Sequence, residues 1–234
     1  MAIGETIRNS QIWKSIFRHP MPLDRRNRIV VMLTNFFLHL HPVSIKKQGI
    51  ALSFTWCMGG VTFFLFLVET VTGVLLMFYY RPTLEWAYND ILALRDVTSL
   101  GVLRELHRWG AHAMVITTWL HMYRVFLTGS YKPPREFNWV VGVILLLLTL
   151  LLSFTGYLLP WDQLAIWAIT VGGIDMITDA SDARFGLLGA RFVGEETLNR
   201  FYVLHCIAIP LAVALLLAIH FWRVRKDGGI SGPL

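Results

Sequence analysis

Two long stretches without a charged residue constrain this chain more than any other feature. Trp139 to Trp161 and Phe201 to Trp222 contain no Asp, Glu, Lys or Arg, and each is about as long as the roughly 20 residues that cross a bilayer core. Two further stretches are nearly as apolar: Leu52 to Tyr80 contains only Glu69, and Val102 to Leu127 is charged mainly near its ends. The sequence therefore predicts an all-α integral membrane protein, a four-transmembrane-helix bundle with spans at about residues 52–80, 102–127, 137–160 and 201–224.

Composition supports the same class. Charged residues make up 15% of the 234 residues and apolar residues 55%, whereas an ordinary soluble domain is about 25% charged. The two cysteines exclude a disulfide framework and a cysteine-rich zinc or iron–sulfur site, which need about four ligands. Any redox centre is therefore expected to be held mainly by histidine.

Lysine and arginine predict the orientation of the spans. The N-terminal segment, the connection between the second and third spans and the C-terminal tail carry fourteen of these residues, and the other two loops carry six. Because positive charge favours the cytoplasmic side, both termini are predicted on the cytoplasmic or equivalent negative side. The net charge of +6 is thus interpreted as a lipid-membrane signal, and no nucleic-acid partner is expected.

The remaining segments are predicted to lie at the membrane surface. Residues 1–50 form a basic segment with amphipathic stretches such as Arg28 to Leu40, suited to anionic headgroups, and residues 51–234 form the four-helix domain. No cleaved targeting peptide is expected, because no signal-like apolar core follows the charged start. In the outer loop, residues 161–200, the apolar segment Ala165 to Ile177 predicts short interfacial helices.

Four histidines occupy matched positions on the second and fourth spans. His107 and His121 are separated by fourteen positions, and His205 and His220 by fifteen. At about 1.5 Å and 100° per residue, each helix presents two imidazoles on one face, roughly 21 to 23 Å apart along the axis. Since the two spans run in the same direction, His107 faces His205 near the outer surface and His121 faces His220 near the inner one. Two bis-histidine haem sites stacked in a four-helix bundle require this geometry.

The alternative for any single membrane histidine is a proton path or a helix contact. The common register of the four favours haem over that alternative. His112 acts as an internal control, because it lies about 140° around the helix from His107 and so belongs to another face. The histidines that precede the first span, His19, His39 and His41, are predicted to be interfacial.

Glycines on the other two spans repeat the same spacing. Gly59 and Gly73 on the first span are separated by fourteen positions, and so are Gly142 and Gly156 on the third. A glycine admits a flat macrocycle close to the helix backbone, where a side chain would block it. Close helix packing through small residues is the alternative, but coincident spacing on both spans that lack ligands favours haem.

Several motifs resemble a known family. They are Cys57-Met58-Gly59-Gly60, Phe78-Tyr79-Tyr80-Arg81-Pro82, His107-Arg108-Trp109, Lys132 to Glu136, Thr155-Gly156-Tyr157, Pro160-Trp161-Asp162-Gln163, Arg200-Phe201-Tyr202 and Gly229-Ile230-Ser231-Gly232-Pro233-Leu234. From about Trp56 to Leu234 the chain is similar to cytochrome b of the quinol–cytochrome c and quinol–plastocyanin reductases, in the short form with only the four-helix, haem-bearing half. The longer step between the fourth-span histidines and the C-terminal ending are similar to the chloroplast, cyanobacterial and Gram-positive short cytochromes b.

The resemblance implies two non-covalent b-type haems and a set of residues that bind them. The implied iron ligands are His107 and His205 for the outer, lower-potential haem, and His121 and His220 for the inner haem. Arg104 and Arg108 are implied partners for propionates of the outer haem, because a guanidinium binds a carboxylate through two parallel hydrogen bonds. The alternative is that these arginines extend from the helix to the membrane interface.

Cys57 matches the position at which short cytochromes b of the chloroplast and Gram-positive type tether an additional haem through one thioether bond. Without the resemblance, a lone membrane cysteine is more often a packing residue, and the chain has no C-x-x-C-H motif. On an ideal helix Cys57 would point about 200° away from Gly59, so that an attached haem would face a lateral quinone cavity. Cys206 is interpreted as a packing residue.

A partial quinol oxidation pocket is also implied. One wall of it is formed in the family by a segment that matches Pro160, Trp161, Asp162 and Gln163, with Trp167 nearby. The family's Pro-Glu-Trp-Tyr segment does not occur in this sequence, so a second small membrane subunit is expected to supply it. On the inner side, Arg225 and Lys132 are candidates to bind quinone or propionate charges, with surface anchoring as the alternative.

The implied mechanism is bifurcated quinol oxidation coupled to proton translocation. One electron passes to a Rieske iron–sulfur partner and onward to a c-type cytochrome, and the other crosses both haems to an inner quinone reduction site. A dimeric complex is expected, in a bacterial cytoplasmic membrane or, alternatively, a thylakoid-type one. Glu69 departs from the family pattern, in which glutamine is common. Two alternatives remain: a dihaem membrane anchor of a dehydrogenase or hydrogenase, and a haem-free transporter or structural subunit.

Overall fold

The computed structural model describes residues 3–16, 24–33, 47, 51, 55–170, 185–186, 188–189, 192–227 and 229, and the regular structure in this part of the chain is helical. In chain order the helices are α1 (Ile3–Asn9), α2 (Gln11–Ile16), α3 (Arg25–Leu33), α4 (Met58–Met77), α5 (Ala87–Asp96), α6 (Thr98–Leu127), α7 (Glu136–Leu158), α8 (Gln163–Trp167), α9 (Glu195–Val203) and α10 (Ile209–Lys226). A π-helical turn, Leu204–Ala208, joins α9 to α10.

Within the described residues, three helical segments are long and apolar enough to cross a membrane: α4, α7 and the continuous segment Glu195–Lys226. Helix α6 has 30 residues, a length of about 45 Å, and its charged residues lie in its N-terminal half and near its C-terminal end. Large apolar side chains on these helices are exposed, which suits a lipid environment; they include Phe64, Ile116, Leu147 and Leu211. The predicted all-α membrane fold class is confirmed.

The first predicted span is shorter than expected. Helix α4 runs from Met58 to Met77, whereas the apolar pattern predicted residues 52–80. Trp56 and Cys57 precede it with φ values of 50° and 53°. These values lie in the left-handed region, which a right-handed helix does not include, so α4 begins only after them. The apolar run thus includes turn residues at both ends that hydropathy does not distinguish from helix. Helix α5, in the next connection, was not predicted.

The chain divides into two compact units, the first comprising Met1–Met58, Trp119–Leu146 and Ala214–Leu234, and the second comprising Gly59–Thr118 and Leu147–Val213. In the first unit, helix α2 packs against the start of α7 and the end of α10. The amide of Phe137 donates to the Ser15 hydroxyl at 3.3 Å, and the buried Arg223 donates to the Ser15 carbonyl and lies 3.4 Å from Asp227. Part of the N-terminal segment is therefore joined to helix ends by buried polar contacts.

In the second unit, the start of α5 packs with Tyr80 and Leu198, and an ion pair fixes this connection. The guanidinium of Arg81 donates to the two carboxylate oxygens of Asp90 at 2.6 and 3.0 Å. These hydrogen bonds hold the pKa of Asp90 below its usual range. The bidentate pair joins the turn that follows α4 to helix α5.

The outer loop begins with a capped helix. The Asp162 side chain accepts from the amide of Ala165 at 2.9 Å and so satisfies a donor that the helix start leaves free. Helix α8 therefore starts at Gln163, slightly earlier than the predicted helical segment; residues 171–177 of that segment lie outside the described residues. Leu158, Ala165 and Phe201 are buried together in one cluster of this unit.

Candidate functional site

His107 and His205 come together in the second unit. Their ring centres are 6.1 Å apart and their planes are nearly perpendicular, at 85°. Hydrogen bonds engage the Nδ1 atom of each ring: His205 lies 3.0 Å from the Leu152 carbonyl, and His107 lies 2.8 Å from the Thr72 hydroxyl. Since a ligating histidine uses one nitrogen for the metal and donates the other N–H to an acceptor, these bonds leave both Nε2 atoms for a metal.

His121 and His220 form the equivalent pair in the first unit. Their ring centres are 6.4 Å apart, with the planes at 79°. Two imidazoles that bind one metal from opposite sides, with metal–nitrogen bonds of about 2 Å, have ring centres about 6 Å apart. Both pairs fit that separation, and they are the two pairs that the helical register predicted.

The donor set favours a haem iron over a metal held by protein alone. Within the described residues, no three His, Cys, Asp or Glu side chains come close enough to hold a metal ion. A haem iron takes four nitrogens from its macrocycle and needs only axial ligands from the protein. Two facing imidazoles therefore fit a haem.

His205 lies in the π-helical turn Leu204–Ala208. Such turns are rare and are frequent at functional sites. Because a π turn contains one more residue than an α turn, the step of fifteen positions from His205 to His220 is equivalent to fourteen positions of regular α-helix. This matches the step between His107 and His121 on α6, where the helix is regular.

Three of the four predicted glycines lie against rings of the paired histidines. A Cβ atom at Gly156 would lie 2.6 Å from Cε1 of His205, one at Gly73 would lie 3.1 Å from Cε1 of His107, and one at Gly142 would lie 3.8 Å from Cε1 of His220. The first two distances are shorter than real Cβ contacts tolerate without displacement. These glycines make room for the imidazoles; their expected contact with the macrocycle stays a prediction, as does the role of Gly59.

Two threonines lie beside the histidines, a role that the sequence reasoning did not assign to either of them. Thr72 and Thr155 immediately precede Gly73 and Gly156, and their hydroxyls lie 2.8 and 3.2 Å from the Nδ1 atoms of His107 and His205. Each hydroxyl donates to a backbone carbonyl four residues earlier, so its oxygen is available to accept the ring N–H. The repeated Thr-Gly dipeptide is the signal that would have identified them.

The predicted arginines have protein partners. Arg108 donates to Glu105 through Nε and Nη2 at 3.0 and 2.6 Å, and Arg104 donates to the same carboxylate at 3.0 Å. Glu105 thus occupies part of the hydrogen-bonding capacity that was predicted for propionates. Arg225 is half-buried in the last turn of α10, and Lys132 is exposed between α6 and α7.

Cys57 is exposed and precedes α4 in the left-handed region. The angle predicted between Cys57 and Gly59 therefore does not apply, because it was calculated on a helix that begins only at Met58. Its backbone amide donates to the Thr55 hydroxyl at 3.2 Å. The thiol itself is accessible, whereas Cys206 is half-buried.

The Pro160 to Gln163 segment borders a cavity. The cavity has a volume of about 380 Å³, and its lining residues are Tyr88, Trp161, Asp162, Gln163 and Leu164. Trp161 has a φ of 51°, a strained conformation for a bulky residue that is often found at functional sites. The segment thus combines a cavity, a strained aromatic residue and a capped helix.

Comparison with known proteins decides the family. The protein-family model described as Cytochrome b/b6/petB matches residues 43–228 of this chain. The chain belongs to the cytochrome b/b6 family. Cytochrome b6 of Prochlorococcus marinus (strain MIT 9515) is 44% identical over 183 residues, 76% of this chain and 84% of the relative. Cytochrome b6 of Synechococcus elongatus is 42% identical over 196 residues, 82% of this chain and 91% of the relative.

A solved structure shares the fold of this cytochrome b family member. A chain of a hyperthermophilic respiratory Complex III aligns with a TM-score of 0.70 at 24% sequence identity. The alignment covers 99% of this chain and 56% of the solved one, so this chain spans just over half the length of that relative.

Proposed function

We propose that this chain carries electrons across a membrane between two quinone sites, through one bis-histidine haem in each compact unit. The two facing histidine pairs carry this proposal, because their separations of 6.1 and 6.4 Å suit two imidazoles that would hold one haem iron between them. As a member of the cytochrome b/b6 family, the chain is a transmembrane electron-transfer subunit of a quinol-oxidising complex, and its family implies haem b. A dihaem anchor of a dehydrogenase or hydrogenase is not favoured.

The protein's part in the chemistry is to hold and tune the haems, each of which would accept and pass on one electron at a time. His107 and His205 would hold the outer haem, and His121 and His220 the inner one. At the outer site, the carbonyl of Leu152 and the hydroxyls of Thr72 and Thr155 fix the ring orientations through the Nδ1 atoms. The glycines allow the rings to approach the backbone of α4 and α7.

The cavity beside Trp161 is the proposed place for part of the quinol oxidation pocket. Its mixed lining of aromatic rings, a carboxylate and an amide suits a quinol ring with polar groups at both ends. A second small membrane subunit with a Pro-Glu-Trp-Tyr segment would complete the pocket, and a Rieske iron–sulfur protein would take the first electron. A c-type cytochrome would receive that electron, within a dimeric complex.

Further parts of the proposal concern the termini and the membrane. The charge distribution favours N- and C-termini on the negative side, in a bacterial cytoplasmic membrane. Proton release at the outer side and uptake at the inner side would couple electron transfer to proton translocation. Arg104, Arg108 and Arg225 are proposed to contribute positive charge near the propionates or the inner quinone.

A third haem, attached to Cys57, is a separate proposal. An exposed thiol at the start of a membrane helix is accessible to a haem that sits beside the protein rather than inside it. Haem staining after denaturing electrophoresis tests this directly. Staining that survives denaturation, disappears in Cys57→Ser and persists in the control Cys206→Ser supports the bond; two extractable haems with no covalent one contradict it.

Quinol-driven reduction of the haems tests the main function. In the purified complex, a quinol pulse is expected to reduce both haems and to sustain transfer to a c-type cytochrome. In His121→Leu, the outer haem should still be reduced, but steady turnover should stop because the second electron has no path inward. Turnover at the wild-type rate in a variant that has lost one haem would contradict the proposal.

A further inference from the structure

Glu69 lies within the membrane-spanning helix α4, where a carboxyl group is costly and therefore marks a functional position by default. Its side chain is 11% exposed, and its Oε2 atom lies 3.0 Å from Nδ1 of His107. This distance is within reach of a hydrogen bond, and the Thr72 hydroxyl lies 2.8 Å from the same nitrogen. The carboxyl group thus lies beside the ring nitrogen of His107 that is not expected to bind the iron.

The neighbouring helix provides space for this carboxyl group. A Cβ atom at Gly110 of α6 would overlap Oε1 of Glu69. Gly110 is buried and follows His107 by three residues, so it lies near the same face of α6. Any larger residue at position 110 would displace the carboxyl group.

The two outer histidines differ in the groups that lie beside their Nδ1 atoms. His205 has the Leu152 carbonyl and the Thr155 hydroxyl, which are both neutral. His107 has the Thr72 hydroxyl and a carboxyl group. A carboxyl acceptor fixes the ring and its tautomer and raises the basicity of the ligand.

We infer that Glu69 is a positioning residue for His107: its carboxyl oxygen accepts the Nδ1–H, directs Nε2 to the iron and lowers the reduction potential of the outer haem. Gly110 contributes to this arrangement, because its missing side chain leaves room for the carboxyl group. This inference rests on the proposed haem function. The inner haem has no part in it and serves as an internal reference.

Redox titration of both haems in the purified complex tests the inference. Glu69→Leu keeps a similar volume but removes the acceptor, and we expect the reduction equilibrium of the outer haem to shift at least tenfold toward the reduced form, about 59 mV for one electron. Glu69→Gln retains a neutral acceptor oxygen without the carboxyl group, and its shift should lie between the wild type and Glu69→Leu. Thr70→Val is the matched control, since the Thr70 hydroxyl is exposed and donates to the Phe66 carbonyl of its own helix.

A second experiment tests the same inference without the Glu69→Leu variant. Gly110→Ala should displace the Glu69 carboxyl group and raise the potential of the outer haem, and it should have no further effect in a Glu69→Ala background. An unchanged outer potential in Glu69→Leu with both haems bound would overturn the inference, as would equal shifts in the Gln and Leu variants. Absence of haem from the wild-type complex would instead overturn the proposed function.

Discussion

Gly156→Ala is the sharpest structural prediction, because the Cβ atom would lie 2.6 Å from Cε1 of His205 and 3.2 Å from both ring nitrogens. Ordinary van der Waals contact begins near 3.4 Å, so the ring or helix α7 must move by about 1 Å. The ring has little freedom to do so, because Leu152 and Thr155 hold its Nδ1 atom. Ligand distances at a metal site vary by only about 0.2 Å.

The expected cost follows from overpacking a filled site, typically about 1–3 kcal/mol. That energy corresponds to roughly 5- to 150-fold weaker haem retention at the outer site. Gly142→Ala is the matched control, since its Cβ atom would lie at 3.8 Å from the His220 ring, an ordinary contact. Both variants gain about 1 kcal/mol of helix propensity, so the difference between them isolates the steric term.

Haem quantification and redox titration of the purified complexes measure the effect. Gly156→Ala should lose the outer haem, or hold it at a changed potential, while the inner haem keeps its wild-type signal. Gly73→Ala, with a 3.1 Å contact, should fall between Gly156→Ala and Gly142→Ala. A Gly156→Ala complex with both haems at wild-type potentials, or a larger effect from Gly142→Ala, would refute the steric reasoning.

Three other outcomes are expected. His107→Leu should remove only the outer haem and His121→Leu only the inner one, as measured by difference spectra; loss of both haems from either variant would argue against independent sites. Because Arg81 lowers the pKa of Asp90, the pair stabilises the fold fully above the unfolded-state pKa near 3.9, and this stabilisation is lost as the pH falls through the lower folded-state value. In detergent, the unfolding temperature of the wild type should therefore fall more steeply as the pH is lowered than that of Asp90→Asn. Parallel pH profiles for the two proteins would contradict this. Asp162→Ala should destabilise the start of α8 by about 1 kcal/mol and raise the KM for quinol. An unchanged KM would show that this helix cap does not affect quinol binding in the cavity.

The two histidine pairs were predictable because their pairing depends on helical periodicity alone. A separation of fourteen positions returns to nearly the same helix face, so two histidines on each of two parallel spans specify both partners and their levels. The longer step from His205 to His220 had no explanation in the sequence. The π turn at His205 supplies it, and π turns leave no composition signal that hydropathy detects.

The contacts around the paired histidines were less accessible to sequence reasoning. Glycine spacing indicated a close approach but did not tell whether an imidazole or a macrocycle approaches, since both need an absent side chain. Thr72 was not singled out and Glu69 was an unexplained carboxyl group, until the packing of α4 against α6 placed both beside Nδ1 of His107. The helical angle predicted for Cys57 does not apply for a local reason, because two consecutive residues with positive φ precede α4.

Counting haem in the purified complex tests the central claim most directly. The measurement is the ratio of acid-extractable haem b to this chain, made in the wild type and in His107→Leu and His121→Leu. We predict two extractable haems per chain in the wild type and one in each variant, with a different spectral component lost in each. A wild-type ratio of one or zero, or a variant that keeps both haems, would contradict the assignment of one haem to each histidine pair.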